Sequence, residues 1–357
     1  MNKHVEKLFS ILEANRIDAA IITEKNNIRY YSGFTSEDAV LLIHQAACYL
    51  ITDFRYIEQA QKQCPDFNVI DAPGTKTAAF IKNTCTEQLK AKNIWFEDGF
   101  FTYRDYSLYK EILHPLNLFP DKGLISEPRL IKTEEEIVQI KKAAELADRG
   151  FLYILDYIRP GISEKEIALE LEYFLKKNGS EDIAFPIIVA SGKNGSLPHA
   201  EPSNKKIEVG EFVTLDFGCK ISGYCSDMTR TVALGKPERI MSEIYHITLE
   251  AQAEALNIIG PGLTGREVDK QARDYISSNG YGDFFGHGLG HGVGLNIHEE
   301  PRLSEKGYTV LQPGMVVTVE PGIYLPDIGG VRIEDLVVIT DEGYENLVSS
   351  KKDLIVL

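Results

Sequence analysis

Four carboxylates and four histidines between positions 199 and 334 are the residues of this chain best able to do chemistry. Asp216 stands in Val213-Thr-Leu-Asp-Phe217, a strongly apolar strand pattern in which aspartate is disfavoured. Ser222-Gly223 can turn, and a second strand leaves through Asp227, so the segment predicts a hairpin. The two aspartates are equidistant from a midpoint between Ile221 and Ser222, which predicts that they face one another across the strands. Glu320 in VVTVEPG and Glu334 in GGVRIEDLVVIT are equidistant from Asp327, so a second hairpin offers two more carboxylates. Buried charge needs a counter-charge or a metal. Four converging carboxylates raise one another's pKa values unless something compensates them. Two divalent cations would cancel four negative charges, and oxygen ligands suit Mn²⁺ first, with Co²⁺, Fe²⁺ or Zn²⁺ as alternatives.

The histidines sharpen that choice. His199 lies in GSLPHA, and His287, His291 and His298 lie in FGHGLGHGVGLNIHEE. His287 and His291 have helical spacing, but the surrounding glycines disfavour a helix and instead let backbone approach a ligand closely. No glutamate follows His287, so this is not a HExxH zinc motif. A lone histidine is more often a hydrogen-bonded core or surface residue, and His4, His44, His114 and His246 are read as structural or solvated. A cluster beside four carboxylates favours function.

The elements that would position these residues read as a duplication. Pro160-Gly-Ile-Ser-Glu-Lys-Glu-Ile167 is echoed by Pro261-Gly-Leu-Thr-Gly-Arg-Glu-Val268, and each copy opens a helix with a Ser/Thr-x-x-Glu capping box. Gly210-Glu-Phe-Val-Thr-Leu-Asp-Phe-Gly218 is echoed by Gly314-Met-Val-Val-Thr-Val-Glu-Pro-Gly322. Two related halves imply a pseudo-twofold axis with a cleft between them, where residues from both halves converge. Thr133 with Glu136 caps a long helix leading in, its apolar face running from Ile137 to Ile158.

The first third alternates helix and strand patterns, among them a helix over Val5–Leu12, a strand over Asp18–Thr23 and a helix over Thr75–Leu89. It predicts a small α/β domain, and the broken pattern between Pro115 and Pro128 places the boundary there. The expected domains are 1–125 and 126–357.

A net charge of −15 argues against nucleic acid or an anionic membrane as partner. No apolar run approaches a membrane span, and Met1–Ser10 lacks the core of a signal peptide. Five scattered cysteines without a CxxC pair read as reduced thiols, so a cytoplasmic protein is expected.

In order and spacing, Asp216, Asp227, His291, Glu320 and Glu334 resemble the five metal ligands of the pita-bread metallopeptidases: methionine aminopeptidase, aminopeptidase P and prolidase. The resemblance runs from about residue 130 to the C-terminus. The preceding α/β domain is similar to the creatinase-type N-terminal domain of the Xaa-Pro peptidases. Ser191-Gly-Lys-Asn-Gly-Ser-Leu-Pro-His-Ala200 and Arg332, two residues before Glu334, agree with that branch. The implied fold class is α+β: a pita-bread domain with internal pseudo-twofold duplication behind a smaller α/β domain.

The resemblance implies a dinuclear exopeptidase that cleaves the Xaa-Pro bond of dipeptides or peptide N-termini through a metal-bridging hydroxide. Asp216 would serve one metal, His291 and Glu320 the other, and Asp227 and Glu334 both. Glu320 would also shuttle the proton, His199 and His298 would stabilise the oxyanion, and His287 would line the proline pocket. Arg332 would orient the carboxylates. Arg302 would either clamp a substrate carboxylate or merely pair with Glu299 or Glu300. A homodimer is expected, with the Ser32–Asp38 loop reaching towards the neighbour's site. The alternatives are a methionine aminopeptidase-like activity and a non-catalytic pita-bread binding protein.

Overall fold

The structure, a computed structural model, describes Lys3 to Leu357; Met1 and Asn2 of the N-terminal reading lie outside the described residues. The chain forms two compact units, the first ending at Arg129 and the second spanning Leu130–Leu357.

The first unit is built on a six-stranded sheet of β1 (Ala19–Ile22), β2 (Val40–His44), β3 (Ala47–Thr52), β4 (Asn68–Asp71), β5 (Asn93–Phe96) and β6 (Asn117–Pro120), ordered β4-β3-β2-β1-β5-β6. β1, β2 and β3 form an antiparallel meander, while β4, β5 and β6 add in parallel through helical crossovers. The helices of this unit are α1 (Lys3–Ala14), α2 (Lys25–Ser32), α3 (Ile57–Gln63), α4 (Thr75–Asn83) and α5 (Tyr103–Leu113), of which α3, α4 and α5 are the crossovers. Val5, Leu8 and Leu12 are the buried stripe of α1, as their spacing requires. Two expectations are corrected. The helix predicted over Thr75–Leu89 ends as α at Asn83 and continues as a π-helical turn, and the turn-rich stretch before Pro128 contains the edge strand β6.

The second unit has the pita-bread fold, α+β with a duplicated architecture. Each half pairs two helices with an antiparallel sheet: α6 (Glu134–Leu155) and α7 (Glu164–Lys177) in the first, α8 (Arg239–Ile258) and α9 (Gly265–Ser278) in the second. The capping boxes at Thr133, Ser163 and Thr264 are all formed. α6 stops at Leu155, short of the expected Ile158. The first sheet orders β7 (Ile188–Ser191), β8 (Phe212–Phe217) and β11 (Met228–Ala233) with β8 in the middle, and a short ribbon of β9 (Lys220–Ile221) and β10 (Tyr224–Cys225) extends the β8–β11 hairpin. The second sheet orders β13 (Glu299–Leu303), β12 (Gly290–Gly292), β14 (Val316–Val319), β17 (Asp335–Ile339) and β18 (Tyr344–Asn346), with a ribbon of β15 (Gly322–Leu325) and β16 (Gly329–Arg332) inserted between β14 and β17. The duplication extends to backbone bridges: Ser163 pairs with Lys206, and its counterpart Thr264 pairs with Val310. Among the described residues, no helix is long and apolar enough to cross a membrane.

The two hairpins differ in register. Ser222 and Gly223 both take left-handed φ values, 51° and 82°, which makes a tight two-residue turn centred between them. Ile221 therefore pairs with Tyr224 and Asp216 with Thr229. Asp227 sits diagonally from Asp216 on the same face, which corrects the expectation that the two are direct partners. In the second half the flanking ladders pair Val319 with Asp335 and Gly322 with Arg332, a single register that sets Glu320 opposite Glu334.

Candidate metal centre

β8 and the turn into β11 deliver Asp216 and Asp227, the β14–β15 and β16–β17 junctions deliver Glu320 and Glu334, and β12 delivers His291. All five line one cavity of about 290 Å³, together with His199, His287, His298, Arg302 and Arg332. Donor atoms of Asp227, His291 and Glu334 lie within 4.8 Å of one another, and all three residues are buried. His291 Nε2 is 3.6 Å from Asp227 Oδ2 and 3.3 Å from Glu320 Oε1.

Small residues make this convergence possible. A Cβ on Gly290 would fall inside the carbonyl oxygen of Thr318, and one on Gly292 inside that of Glu300, so β12 reaches its neighbours only because both flanks of His291 are glycine. The sequence glycines thus serve a strand and not a helix.

The protonation states fit a cation. His291 Nδ1 lies 3.1 Å from its acceptor, the Gly292 carbonyl, which leaves Nε2 as a lone pair facing the carboxylates. Burial pulls this imidazole down to about 3, so it is neutral at physiological pH. Burial and the neighbouring carboxylates push Asp227 and Glu334 well above the ordinary carboxylate range. Burial first, and then Asp216, push Glu320 up to about 8 against the opposing pull of Arg332. Asp216 has one oxygen, Oδ1, buried without a hydrogen-bond partner. A neutral imidazole, an orphaned carboxylate oxygen and three carboxyls that resist ionisation are what a divalent ion would relieve. The residues fit such a group.

The other oxygen of Asp216 accepts from Arg332 Nη2 at 2.6 Å. Arg332 is buried, and its remaining donors reach Thr229 Oγ1 at 3.2 Å, Pro198 O at 3.2 Å and Tyr324 Oη at 2.9 Å. Tyr324 Oη lies 2.9 Å from His287 Nε2, and His287 Nδ1 lies 2.8 Å from Gly288 O. Since Nδ1–H donates to that carbonyl, Nε2 accepts the tyrosine proton. His287 is therefore neutral, consistent with burial drawing it down to about 4, and both its nitrogens are occupied. What it presents to the cavity is ring surface.

Sequence reasoning did not single out Tyr324, Thr229, Thr318 or Arg230. Thr229 donates to Glu334 Oε2 at 2.7 Å, and Thr318 donates to Glu320 Oε1 at 3.0 Å. Arg230 is fully buried, pairs with Asp335 at 2.8 Å and donates to the carbonyls of Thr229 and Glu334. For Thr229 and Thr318 the available signal was position, two residues from Asp227 and Glu320 respectively; Tyr324 and Arg230 carried no such signal. His199 and His298 are exposed at the cavity mouth, with the His298 ring 4.3 Å from that of His291. Arg302 is half-exposed, and its Nε is 3.9 Å from Glu300 Oε1, a loose pair that leaves the guanidinium on the cavity wall. The free cysteines are all buried.

Residues 138–341 match metallopeptidase family M24, and residues 4–131 match the Creatinase/Prolidase N-terminal domain. The chain belongs to family M24. It is 44% identical over 355 residues to an uncharacterized peptidase of Bacillus subtilis (strain 168), covering 99% of each chain. It is 39% identical over 360 residues to the Xaa-Pro dipeptidase of Pyrococcus horikoshii, again covering 99% of each. Among solved structures, the Xaa-Pro dipeptidase from Bacillus anthracis superimposes with a TM-score of 0.96 at 47% identity, covering 99% of each chain. The X-Pro aminopeptidase from Thermotoga maritima MSB8 gives 0.90 at 38% identity, also covering 99% of each.

Proposed function

We propose that this protein is a metal-dependent exopeptidase that hydrolyses the Xaa-Pro bond of dipeptides, using two divalent ions with Mn²⁺ foremost. One cavity carries the reading: its wall holds a neutral His291 with an inward lone pair, three carboxyls pushed towards their protonated forms, and an unpartnered Asp216 oxygen. Asp216 would hold one ion, His291 and Glu320 the other, and Asp227 and Glu334 both. When bound, such ions supply an activated water at neutral pH and polarise the scissile carbonyl.

The chain's own residues supply the rest. Glu320 takes the proton released at the attacking water and gives it to the prolyl nitrogen as the C–N bond breaks, a general acid/base role open to a carboxylate on the cavity wall. His199 and His298, at the cavity mouth, donate to the carbonyl oxygen as it gains charge. His287 packs its ring against the pyrrolidine, since neither nitrogen is free for a polar substrate group. Arg302 faces the cavity with only a 3.9 Å partner, so it is available to clamp the free carboxylate of a dipeptide. Relatives named as Xaa-Pro dipeptidases support the choice of bond.

A panel of Xaa-Pro dipeptides, longer Xaa-Pro peptides and Met-Ala-Ser, assayed with Mn²⁺, Co²⁺ and Zn²⁺ before and after EDTA, tests this. Metal-dependent release of proline from dipeptides is expected, together with a large rise in KM in Arg302→Ala. Preferred cleavage of Met-Ala-Ser, or hydrolysis indifferent to EDTA, would overturn it.

A further inference from the structure

Glu164 is the first residue of α7, is fully buried, and carries no role in the site described above. Its carboxylate accepts from Ser191 N at 2.7 Å and Ser191 Oγ at 2.8 Å, at the end of β7. It accepts from Asn194 Nδ2 at 3.0 Å on both oxygens. It also accepts from Ser203 N at 3.1 Å and Ser203 Oγ at 2.6 Å. One buried carboxylate therefore closes the base of the loop between Ser191 and Ser203, and His199 is exposed near the far end of that loop.

Every partner of Glu164 is a donor in this arrangement. Ser191 Oγ accepts a hydrogen bond from Lys205 Nζ at 3.0 Å and Ser203 Oγ accepts one from Lys205 N at 3.1 Å, which leaves each hydroxyl proton for the carboxylate. The charge is offset by the N-terminus of α7, while Lys205 pairs with Glu211 at 2.6 Å. On its far side the loop meets the other half of the domain. Gly330 lies so close to Gly195 that a Cβ on it would fall inside the Gly195 carbonyl oxygen, and Pro198 O accepts from Arg332. In the second half the counterpart of Glu164 is Gly265, which abuts the Arg302 backbone too closely for any side chain. Both helix N-termini thus buttress an active-site loop, one through a carboxylate and the other through backbone contact.

We infer that Glu164 is a positioning residue for the reaction: by gripping Ser191, Asn194 and Ser203 it fixes where His199 stands at the cavity mouth. His199 is exposed, so its place is set by the loop that carries it, which Glu164 holds at the base and Arg332 holds at Pro198. This rests on the proposed peptidase activity and on the role of His199 in it. Displacement of a group that acts on developing charge costs kcat and leaves substrate binding alone.

The experiment compares wild type with Glu164→Gln, Ser203→Ala, His199→Ala and the double variant Glu164→Gln/His199→Ala. The amide of Gln places a donor among donors, while Ser203→Ala removes one hydroxyl and is the milder test if the first variant folds poorly. For Xaa-Pro hydrolysis, kcat in Glu164→Gln is expected to fall up to about 100-fold with KM changed less than about twofold, and Ser203→Ala to fall less in the same direction. The double variant should be no slower than His199→Ala alone. Amide hydrogen exchange on the metal-free proteins should quicken in residues 192–200 and stay unchanged in α8 and α9. An unchanged kcat in both variants, multiplicative losses in the double variant, or unaltered exchange in 192–200 would overturn the inference. If wild type fails to hydrolyse Xaa-Pro substrates the activity reading falls, and the exchange arm still tests the clamp by itself.

Discussion

Adding a divalent ion to the metal-free protein should expel protons, and the number is set by the carboxyls of the cavity. Burial and mutual repulsion keep Asp227, Glu320 and Glu334 protonated above the usual range, with Glu320 at about 8. At pH 7 a group with that pKa holds roughly 0.9 of a proton, so Glu320 alone contributes nearly one and the three together up to about three. His291, drawn down to about 3, is already neutral and contributes none. Metal affinity should then rise by about tenfold per pH unit for each proton expelled. Calorimetric titration of Mn²⁺ into EDTA-stripped, dialysed protein at pH 7, in two non-chelating buffers of different ionisation enthalpy, gives the count from the difference in apparent heat. Between about one and three protons per chain are expected. An ionising water could mimic this result, so the same titration on Glu320→Gln is needed, and there the count should drop by roughly 0.9. A count of zero in wild type, or an unchanged count in Glu320→Gln, would refute the reasoning.

The same carboxyls set the pH dependence of the metal-free fold. Their folded pKa values are raised, so the stability they contribute is present at low pH and is lost as pH rises above the ordinary carboxylate range, for Glu320 up to about 8; melting temperature should fall between about pH 5 and 8 in EDTA, and not with saturating Mn²⁺. Arg332→Met breaks a buried pair and strands Asp216, Tyr324 and Thr229, so urea titration should show a loss of about 3–5 kcal/mol, whereas retained stability would mean that the Asp216 contact matters little. Gly290→Ala drives a methyl into the Thr318 carbonyl and must shift β12, costing about 1–3 kcal/mol by the same assay and lowering bound metal in elemental analysis.

How far the sequence made this architecture legible depends on how local each cause is. Capping boxes at Thr133, Ser163 and Thr264 are local chemistry and formed where their spacing put them. The duplication was legible because both halves keep Pro-Gly before the cap and a Gly before the carboxylate strand. The first hairpin register was not. Counting back from two aspartates assumes they are partners, but Ser222 and Gly223 both turn left-handed and shift the centre, so Asp216 pairs with Thr229. In the second hairpin the same counting matched, because Asp327 sits in a turn that preserves one register from Val316 to Val338.

What stayed hidden are the residues that act through others. Tyr324, Thr229, Thr318 and Glu164 have unremarkable neighbours in sequence, and each becomes significant only through a partner: Arg332, Glu334, Glu320 and Ser203 respectively. A carboxylate that binds a cation is recognisable by its type in an apolar strand. A hydroxyl that aims that carboxylate looks like any strand threonine, since its purpose lies 105 positions away for Thr229 and 39 for the Ser203–Glu164 pair. Replacing Thr229 by Val keeps the strand's shape and removes the 2.7 Å hydrogen bond to Glu334, together with the 3.2 Å bond that Thr229 Oγ1 accepts from Arg332. Because the bond to Glu334 favours the ionised carboxylate, its loss should raise the proton count expelled on metal binding and weaken Mn²⁺ affinity by about 10- to 100-fold, with little change in melting temperature. Unchanged affinity in Thr229→Val would show that the backbone register alone orients Glu334, and that the threonines are strand residues and nothing more.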